Sequence, residues 1–168
     1  MKSSALLLLG LCFVALFALQ SCERDDICAA TTPTTPQLIL RFYDAENPSE
    51  FKAVSSLVVA EVGASTGIEF TGDSLAIPLR TDTDLTAFRF IVNATSDISD
   101  DNPINEDLVN LEYTRTEDYV SKACGFRTTY DQLRLARDGQ DDGSWIQDVI
   151  IQNTTIDNEI SAHIRILH

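Results

Sequence analysis

Four cysteines and two histidines are the side chains whose chemistry stands out first in the sequence. They are Cys12, Cys22, Cys28, Cys124, His163 and His168. A thiol can be acylated, can pair in a disulfide or can bind zinc, and an imidazole can act as a base or a metal ligand. The spacing of these residues matches no zinc motif, and no Ser–His–acid or phosphate-loop motif accompanies the histidines. The positions of the cysteines therefore carry most of the chemical information.

The segment before Cys22 has the properties of an export leader. Lys2 gives it a minimal positive start, and Ala5 to Leu19 is an uncharged, almost wholly apolar run of 15 residues. A helix of that length spans about 22 Å, which is less than the roughly 30 Å hydrocarbon core of a membrane. We therefore predict a signal peptide rather than a transmembrane helix, and an ordinary secretory leader is the alternative to the lipid-linked form described next.

The residues around Cys22 resemble a known processing signal. Leu19-Gln20-Ser21-Cys22 is similar to the lipobox of bacterial lipoproteins, in which an aliphatic residue and two small residues precede a cysteine. Gln20 departs from the preference for a small side chain at its position. The resemblance implies that a diacylglycerol is attached to the sulfur of Cys22 and that cleavage removes residues 1–21. No other cofactor is predicted.

The mature chain left by that cleavage would be a strongly acidic protein of 147 residues. The whole chain has 12 basic and 26 acidic residues, and the leader contains one of the basic ones, so 11 minus 26 leaves a net charge of −15. Such a surface repels the phosphates of nucleic acids and anionic lipid headgroups. We therefore predict no nucleic-acid partner, and membrane attachment through the covalent lipid at Cys22 rather than through charge.

Two cysteines remain in the mature chain once Cys22 carries a lipid. Cys28 and Cys124 either form a disulfide, which an exported protein permits, or are two unrelated buried thiols. The Thr- and Pro-rich run from Ala29 to Pro36 predicts an extended linker. Residues 22–36 are thus predicted to be a lipidated tether and linker, and residues 37–168 a single domain.

Short apolar segments with alternating polar residues follow, and they are typical of β-strands. Strands are predicted at 37–43, 54–62, 73–80, 87–94, 108–115, 145–152 and 156–167. Thr81–Asp84 is interpreted as a hairpin loop, Tyr119–Phe126 as either strand or turn, and Tyr130–Arg137 as compatible with one short helix. The predicted fold class is all-β: an antiparallel sandwich or a barrel-like domain of seven to eight short strands.

Three groups of residues are candidates for a binding or catalytic site, each with a structural alternative. The acidic runs Asp97–Asp107 and Asp138–Gly143 could hold calcium, but they lack parts of a calcium-loop pattern and are more typical of solvated turns. His163 alternates with aliphatic residues, so it is predicted to be an exposed strand residue rather than a catalytic base or ligand. Five aromatic residues could form a sugar-binding platform or could belong to the core: Tyr113, Tyr119, Phe126, Tyr130 and Trp145.

Two segments resemble a family of Bacteroidota envelope lipoproteins of unknown function. They are CERDDICAATTPTTPQLILRFYD at residues 22–44 and EDYVSKACGFRTTYDQL at residues 117–133, and the ending NEISAHIRI also fits. The resemblance implies pairing of Cys28 with Cys124 and brings no established activity. The run Glu23-Arg24-Asp25-Asp26 also resembles a surface-export signal of such lipoproteins, with a plain charged tether as the alternative.

The function expected from the sequence is that of a lipid-anchored protein of the bacterial envelope, at the outer membrane, and not an enzyme. It would bind an envelope protein or a glycan, or have a structural role. The alternatives are an envelope hydrolase that uses His163 and a calcium-dependent glycan-binding module.

Overall fold

The computed structural model describes residues 27–93, 104–139 and 143–168. The chain divides into two compact units. The first consists of Met1–Pro33 and Tyr119–Phe126, and the second of Thr34–Asp118 and Arg127–His168.

Nine strands account for the secondary structure of the described residues, which contain no helix. They are β1 (Leu38–Tyr43), β2 (Val54–Glu61), β3 (Ile68–Gly72), β4 (Ser74–Ile77), β5 (Leu85–Val92), β6 (Asn105–Ser121), β7 (Gly125–Asp138), β8 (Asp148–Ile151) and β9 (Ile164–Leu167). Within the same ranges, no helix is long and apolar enough to span a membrane. The predicted all-β fold class is confirmed.

The strands form two sheets. One has the order β4-β1-β9-β8 and the other the order β3-β2-β5-β6-β7. Nearly all the recorded pairs are antiparallel, but β1 and β9 run parallel, with Leu40 opposite Ile164 and Phe42 opposite Ile166. The chain passes between the sheets at β1–β2, β3–β4, β4–β5 and β7–β8, so the sheets are assembled from distant parts of the sequence.

Side-chain alternation explains why these segments become strands. In β1, Leu38, Leu40 and Phe42 are buried while the residues between them are partly exposed. In β5, Phe88 and Phe90 follow the same period of two. Since successive side chains of a strand point to opposite faces, this period places one apolar face of each sheet in the core. Most of the buried apolar side chains of both sheets belong to one cluster in the second unit.

The structure corrects several details of the predicted elements. Residues 130–137 are not a helix but belong to β7, because Tyr130 exchanges two backbone hydrogen bonds with Ile156, at 3.1 and 2.7 Å. Thr81–Asp84 is not a hairpin loop, because β4 and β5 lie in different sheets. The described part of the chain contains nine strands rather than the seven or eight predicted. β3 was not predicted, and its residues are mostly exposed, with none fully buried.

Pro78 lies near the end of the predicted strand 73–80. It follows the last residue of β4, which is the edge strand of the four-stranded sheet. Proline cannot donate a ladder hydrogen bond, so it is tolerated at such an edge.

Candidate functional site: the disulfide-linked hairpin end

The turn between β6 and β7 is built by local hydrogen bonding and by one glycine. Residues 122–124 form the turn, and the backbone N–H of Cys124 donates to Oγ of Ser121 at 3.1 Å. Gly125 follows with φ of 71°. A three-residue hairpin loop commonly ends in this left-handed conformation, which glycine adopts without steric cost. We call residues Tyr119–Phe126 the hairpin end.

A disulfide joins the hairpin end to the N-terminal segment of the same unit. Sγ of Cys28 and Sγ of Cys124 lie 2.04 Å apart, and their Cα atoms are separated by 4.9 Å. The predicted pairing is therefore present in the structure. Cys22, the predicted lipid attachment site, lies outside the described residues, as do the predicted leader at residues 1–21 and the surface-export motif.

Two aromatic side chains are exposed on the hairpin end. Tyr119 is 63% exposed and Phe126 is 66% exposed. Their rings pack edge to face, with centroids 5.3 Å apart. Ile27, next to Cys28 in the same unit, is 84% exposed. Large apolar side chains at this exposure are costly in water when they cluster, and such clusters often mark a contact surface.

The five aromatic residues considered as a platform separate into two groups. Tyr113 and Tyr130 are buried in the second unit, where their rings meet edge to face at 5.0 Å. Trp145 is partly buried against the core, and its indole N–H donates to the backbone oxygen of Phe90 at 3.0 Å. These three residues are structural, and only Tyr119 and Phe126 remain as surface aromatics.

The two buried tyrosines fix the segment that connects β4 to β5. The hydroxyl of Tyr113 donates to the backbone oxygen of Arg80 at 3.0 Å, and that of Tyr130 donates to the backbone oxygen of Leu79 at 3.3 Å. Thr86 Oγ1 accepts from the N–H of Arg80 and lies 2.6 Å from the Tyr113 oxygen. Burial raises the pKa of Tyr113 and raises the pKa of Tyr130 to about 12. Both hydroxyls therefore stay protonated and act as donors at neutral pH.

His163 is buried, contrary to the prediction of an exposed strand residue. It is 2% exposed and precedes β9 instead of lying within it. Its Nδ1 accepts a hydrogen bond from the backbone N–H of Ile39 at 3.0 Å, and its ring also bonds to the backbone of Asn158. Burial lowers the pKa of His163 more than the Asn158 contact and the nearby Asp157 and Glu159 raise it. The neutral imidazole thus connects two backbone segments.

An open cavity of about 560 Å³ lies beside His163. Its walls come from the loop between β8 and β9, mainly from short polar side chains: Gln152, Asn153, Thr154, Thr155, Asp157, Asn158 and Ser161. Ile160 also lines it and is 91% exposed, although it lies within the strand that the sequence pattern predicts over 156–167. The pattern was misleading there because β9 begins only at Ile164.

The acidic runs are not brought together as a metal site in the part of the chain that the structure describes. Residues 94–103 and 140–142 lie outside it, so seven of the eleven residues of the first predicted calcium run and three of the six residues of the second lie outside it too. The described ranges contain no group of three or more His, Cys, Asp or Glu side chains arranged to hold a metal ion. Asp107 is not in a solvated loop but is fully buried in β6. Its carboxylate accepts from the N–H of Ile146 at 2.8 Å and from the Ser144 hydroxyl at 2.7 Å.

Two arginine side chains stack on two aromatic rings in the second unit, and this arrangement was not predicted from the sequence. The guanidinium of Arg41 lies 4.0 Å from the ring centroid of Phe51, and that of Arg165 lies 3.8 Å from the ring centroid of Tyr43. The two rings are 5.0 Å apart. Alternation along β1 places Arg41 and Tyr43 on one face of the strand. Phe51, however, lies between β1 and β2, and only the folded chain brings its ring next to those two residues. Stacking of this kind stabilises a surface by cation–π attraction.

A family of unknown function, DUF6452, matches residues 56–168. The chain belongs to this family. The DUF6452 match contains the second resembling segment, residues 117–133, and the ending NEISAHIRI, whereas the first segment, residues 22–44, precedes it. No curated protein and no solved structure matches the chain.

The DUF6452 segment contains the hairpin end, Cys124 and His163, but not Cys28. The disulfide therefore connects the matched segment to the part of the chain that carries the predicted tether. That link is the feature of the described structure that bears most directly on the predicted attachment at Cys22.

Proposed function

We propose that this chain is a lipid-anchored protein of the bacterial cell envelope, held at the outer membrane of a member of the Bacteroidota by acyl chains on Cys22. Its role in this proposal is non-enzymatic: it binds an envelope protein or a glycan, or it has a structural function. The lipobox-like Leu19-Gln20-Ser21-Cys22 and the export leader before it support the anchor.

The disulfide is the observation that carries the proposal. Disulfides form and persist in exported proteins and are rare in the reducing cytosol. Cys28 lies six residues after Cys22, so the proposed anchor and the disulfide occupy one short segment. A leader, a cysteine at its cleavage site and a disulfide just beyond it are consistent with a single destination outside the cytoplasm.

Charge explains why a covalent anchor is needed. The mature chain would carry a net charge of −15, which opposes adsorption to an anionic membrane surface. Each buried methylene of an acyl chain contributes about 0.8 kcal/mol, and stable attachment generally needs more than one chain. The diacylglycerol of the proposed modification meets that requirement.

The environment of His163 supports a non-enzymatic role. A general base needs a free nitrogen within reach of the group it deprotonates. The Nδ1 of His163 is engaged with Ile39, and the ring also bonds to the backbone of Asn158. This arrangement is typical of a histidine that supports structure.

Metabolic labelling with palmitate tests the anchor. The wild-type chain is expressed in a Bacteroidota host beside Cys22→Ala and a matched control, Cys12→Ala, which changes a cysteine within the leader. We expect label and membrane association for the wild type and Cys12→Ala, and loss of both for Cys22→Ala. Persistent labelling of Cys22→Ala, or an unlabelled wild type, would end the proposal.

A further inference from the structure

We propose that the hairpin end lies in the headgroup region of the same membrane that holds the acyl chains of Cys22, with Tyr119 and Phe126 as its contact residues. This inference rests on the proposed lipid anchor and goes further, because it assigns one surface of the protein to the lipid bilayer. The contact combines a short tether, a disulfide and an exposed aromatic pair, all in the first unit.

The tether limits how far the hairpin end can be from the membrane. Cys28 lies six positions after Cys22, and a fully extended chain spans at most about 3.6 Å per residue, or about 22 Å. The disulfide then brings Cα of Cys124 to 4.9 Å from Cα of Cys28. The proposed lipid anchor thus keeps the hairpin end within about 30 Å of the bilayer surface even when the tether is fully extended, and a bent tether lets it contact the headgroups.

The exposed side chains suit that region. Tyrosine has an apolar ring and a polar hydroxyl, and such amphipathic aromatics are enriched at membrane–water interfaces. Tyr119, Phe126 and Ile27 are the large apolar side chains that the first unit exposes within its described residues, at 63%, 66% and 84%. The edge-to-face packing of the two rings presents them as one patch.

The charge of this unit also differs from that of the rest of the chain. Residues 119–126 contain one basic side chain, Lys122, and no acidic one, and residues 27–33 contain no charged side chain. The acidic residues of the mature first unit are confined to the tether, at Glu23, Asp25 and Asp26. The hairpin end is therefore free of the acidic side chains that would be repelled by anionic headgroups.

Depth-dependent fluorescence quenching tests the contact. The full-length lipidated protein is placed in vesicles of phosphatidylethanolamine and phosphatidylglycerol that contain phosphatidylcholine brominated near the headgroup end of its acyl chains. Phe126→Trp reports on the hairpin end, and Ile160→Trp, at an exposed apolar residue of the second unit, is the matched control. The wild type, whose one tryptophan is Trp145, gives the baseline.

We expect the brominated lipid to reduce the fluorescence of Phe126→Trp, relative to unbrominated vesicles, by more than it reduces that of Ile160→Trp or of the wild type. Quenching of Phe126→Trp that is equal to that of the control overturns the inference. Flotation of each protein with the vesicles is measured in parallel. Failure to float contradicts the lipid anchor, and the inference with it, whereas flotation without quenching contradicts the inference alone.

A second variant tests the part played by the disulfide. Cys28→Ala/Cys124→Ala in the Phe126→Trp protein keeps Cys22 and its lipid but removes the link to the hairpin end. We expect flotation to persist and the quenching to fall to the level of the control. Full quenching without the disulfide would contradict the role assigned to it.

Discussion

His163 joins two backbone segments that are distant in sequence. Its Nδ1 accepts from the N–H of Ile39 in β1, and its ring bonds to the backbone of Asn158 in the loop before β9. An imidazole accepts at Nδ1 only when that nitrogen carries no proton, so the neutral form is the one that fits. Protonation would remove the acceptor and would place a positive charge in a buried site.

This geometry predicts that His163 makes stability depend on pH. Its pKa in the folded protein is lowered from 6.5, mainly by burial. The unfolded chain therefore takes up a proton that the folded protein does not, as the pH falls through about 6.5. The contribution of the neutral His163 to the free energy of unfolding is therefore complete above about pH 6.5. It is lost as the pH falls from there through the lower pKa that His163 has in the folded protein.

His163→Asn checks this prediction, because the amide oxygen can replace the Nδ1 acceptor without titrating. We expect the variant to lose about 1 kcal/mol near pH 8, from the missing bond to Asn158, and to lose less further stability than the wild type between pH 7 and pH 5. Urea unfolding at several pH values measures both effects. If the free energy of unfolding changes equally with pH in both proteins between pH 7 and pH 5, His163 is excluded as the source of that pH dependence.

Asp107 has a structural role that its place at the end of an acidic run conceals. Its carboxylate is fully buried and accepts from the N–H of Ile146 and from the hydroxyl of Ser144, which in turn accepts from Arg137 at 2.7 Å. These bonds attach the segment before β8 to β6. The carboxylate thus supports the connection from one sheet to the other.

We expect Asp107→Ala to lower the free energy of unfolding by about 2 to 3 kcal/mol, because it leaves the buried N–H of Ile146 without its charged acceptor. Glu112→Ala, which removes an exposed carboxylate from the same strand, is the matched control and should change stability by less than about 0.5 kcal/mol. Chemical unfolding compares the two variants. A similar small loss in both would show that the buried bonds contribute little.

At the scale of elements, the disulfide and the hairpin end act together. The bond connects residues separated by 96 positions. It stabilises the fold mainly because it lowers the conformational entropy of the unfolded chain, and this effect is large for so long a loop. The turn that presents Cys124 is fixed by the Ser121 hydroxyl and by the left-handed Gly125. The conformation of the hairpin end therefore affects the free energy of unfolding of the protein. It also affects the proposed position of this turn at the membrane.

Removal of the disulfide by Cys28→Ala/Cys124→Ala should lower the free energy of unfolding by up to about 4 to 5 kcal/mol, as expected for so long a loop. Thermal unfolding of the variant beside the oxidised wild type measures the loss, and reduction of the wild type should reproduce it. Mass mapping without reductant should find a peptide that joins Cys28 to Cys124. Free thiols at both positions, or an unchanged melting temperature, would contradict the prediction.

The elements that could be predicted from the sequence are those with one clearly apolar face. β1 and β5 alternate buried residues with partly exposed ones, so their positions follow from that pattern, whereas β2 was predicted as a continuous apolar run. The second half of β7 could not be recognised in this way, because Tyr130, Leu133 and Arg137 fit helical spacing. The residues between them, such as Gln132 and Ala136, also favour helix. Pairing with β6 and the bonds to the loop before β9 outweigh that local preference.

The candidate site was predictable only in part. The cysteine count and the predicted export of the protein suggested the disulfide, and the family resemblance implied it. The sequence did not distinguish the buried from the exposed members of the five aromatic residues. Tyr113 and Tyr130 are buried because their hydroxyls find backbone acceptors at Arg80 and Leu79, in a connection between the sheets that no local pattern reveals. Tyr119 and Phe126 remain exposed because they flank a turn.

At the scale of the whole molecule, the fold class followed from alternation, whereas the sheet order did not. The parallel pairing of β1 with β9 and the repeated passages between sheets depend on contacts across most of the chain. Composition gives one global property on which the proposed function depends, the net charge of −15 that the chain would have after the proposed cleavage. A domain this acidic needs an anchor other than charge to remain at a membrane.

Mass spectrometry of the N-terminal peptide of the native protein tests that anchor most directly. We expect the mature chain to begin at Cys22, with a diacylglyceryl group on its sulfur and residues 1–21 absent. An N-terminal peptide with an unmodified Cys22 thiol, from a protein recovered in the soluble fraction, would contradict the proposed attachment.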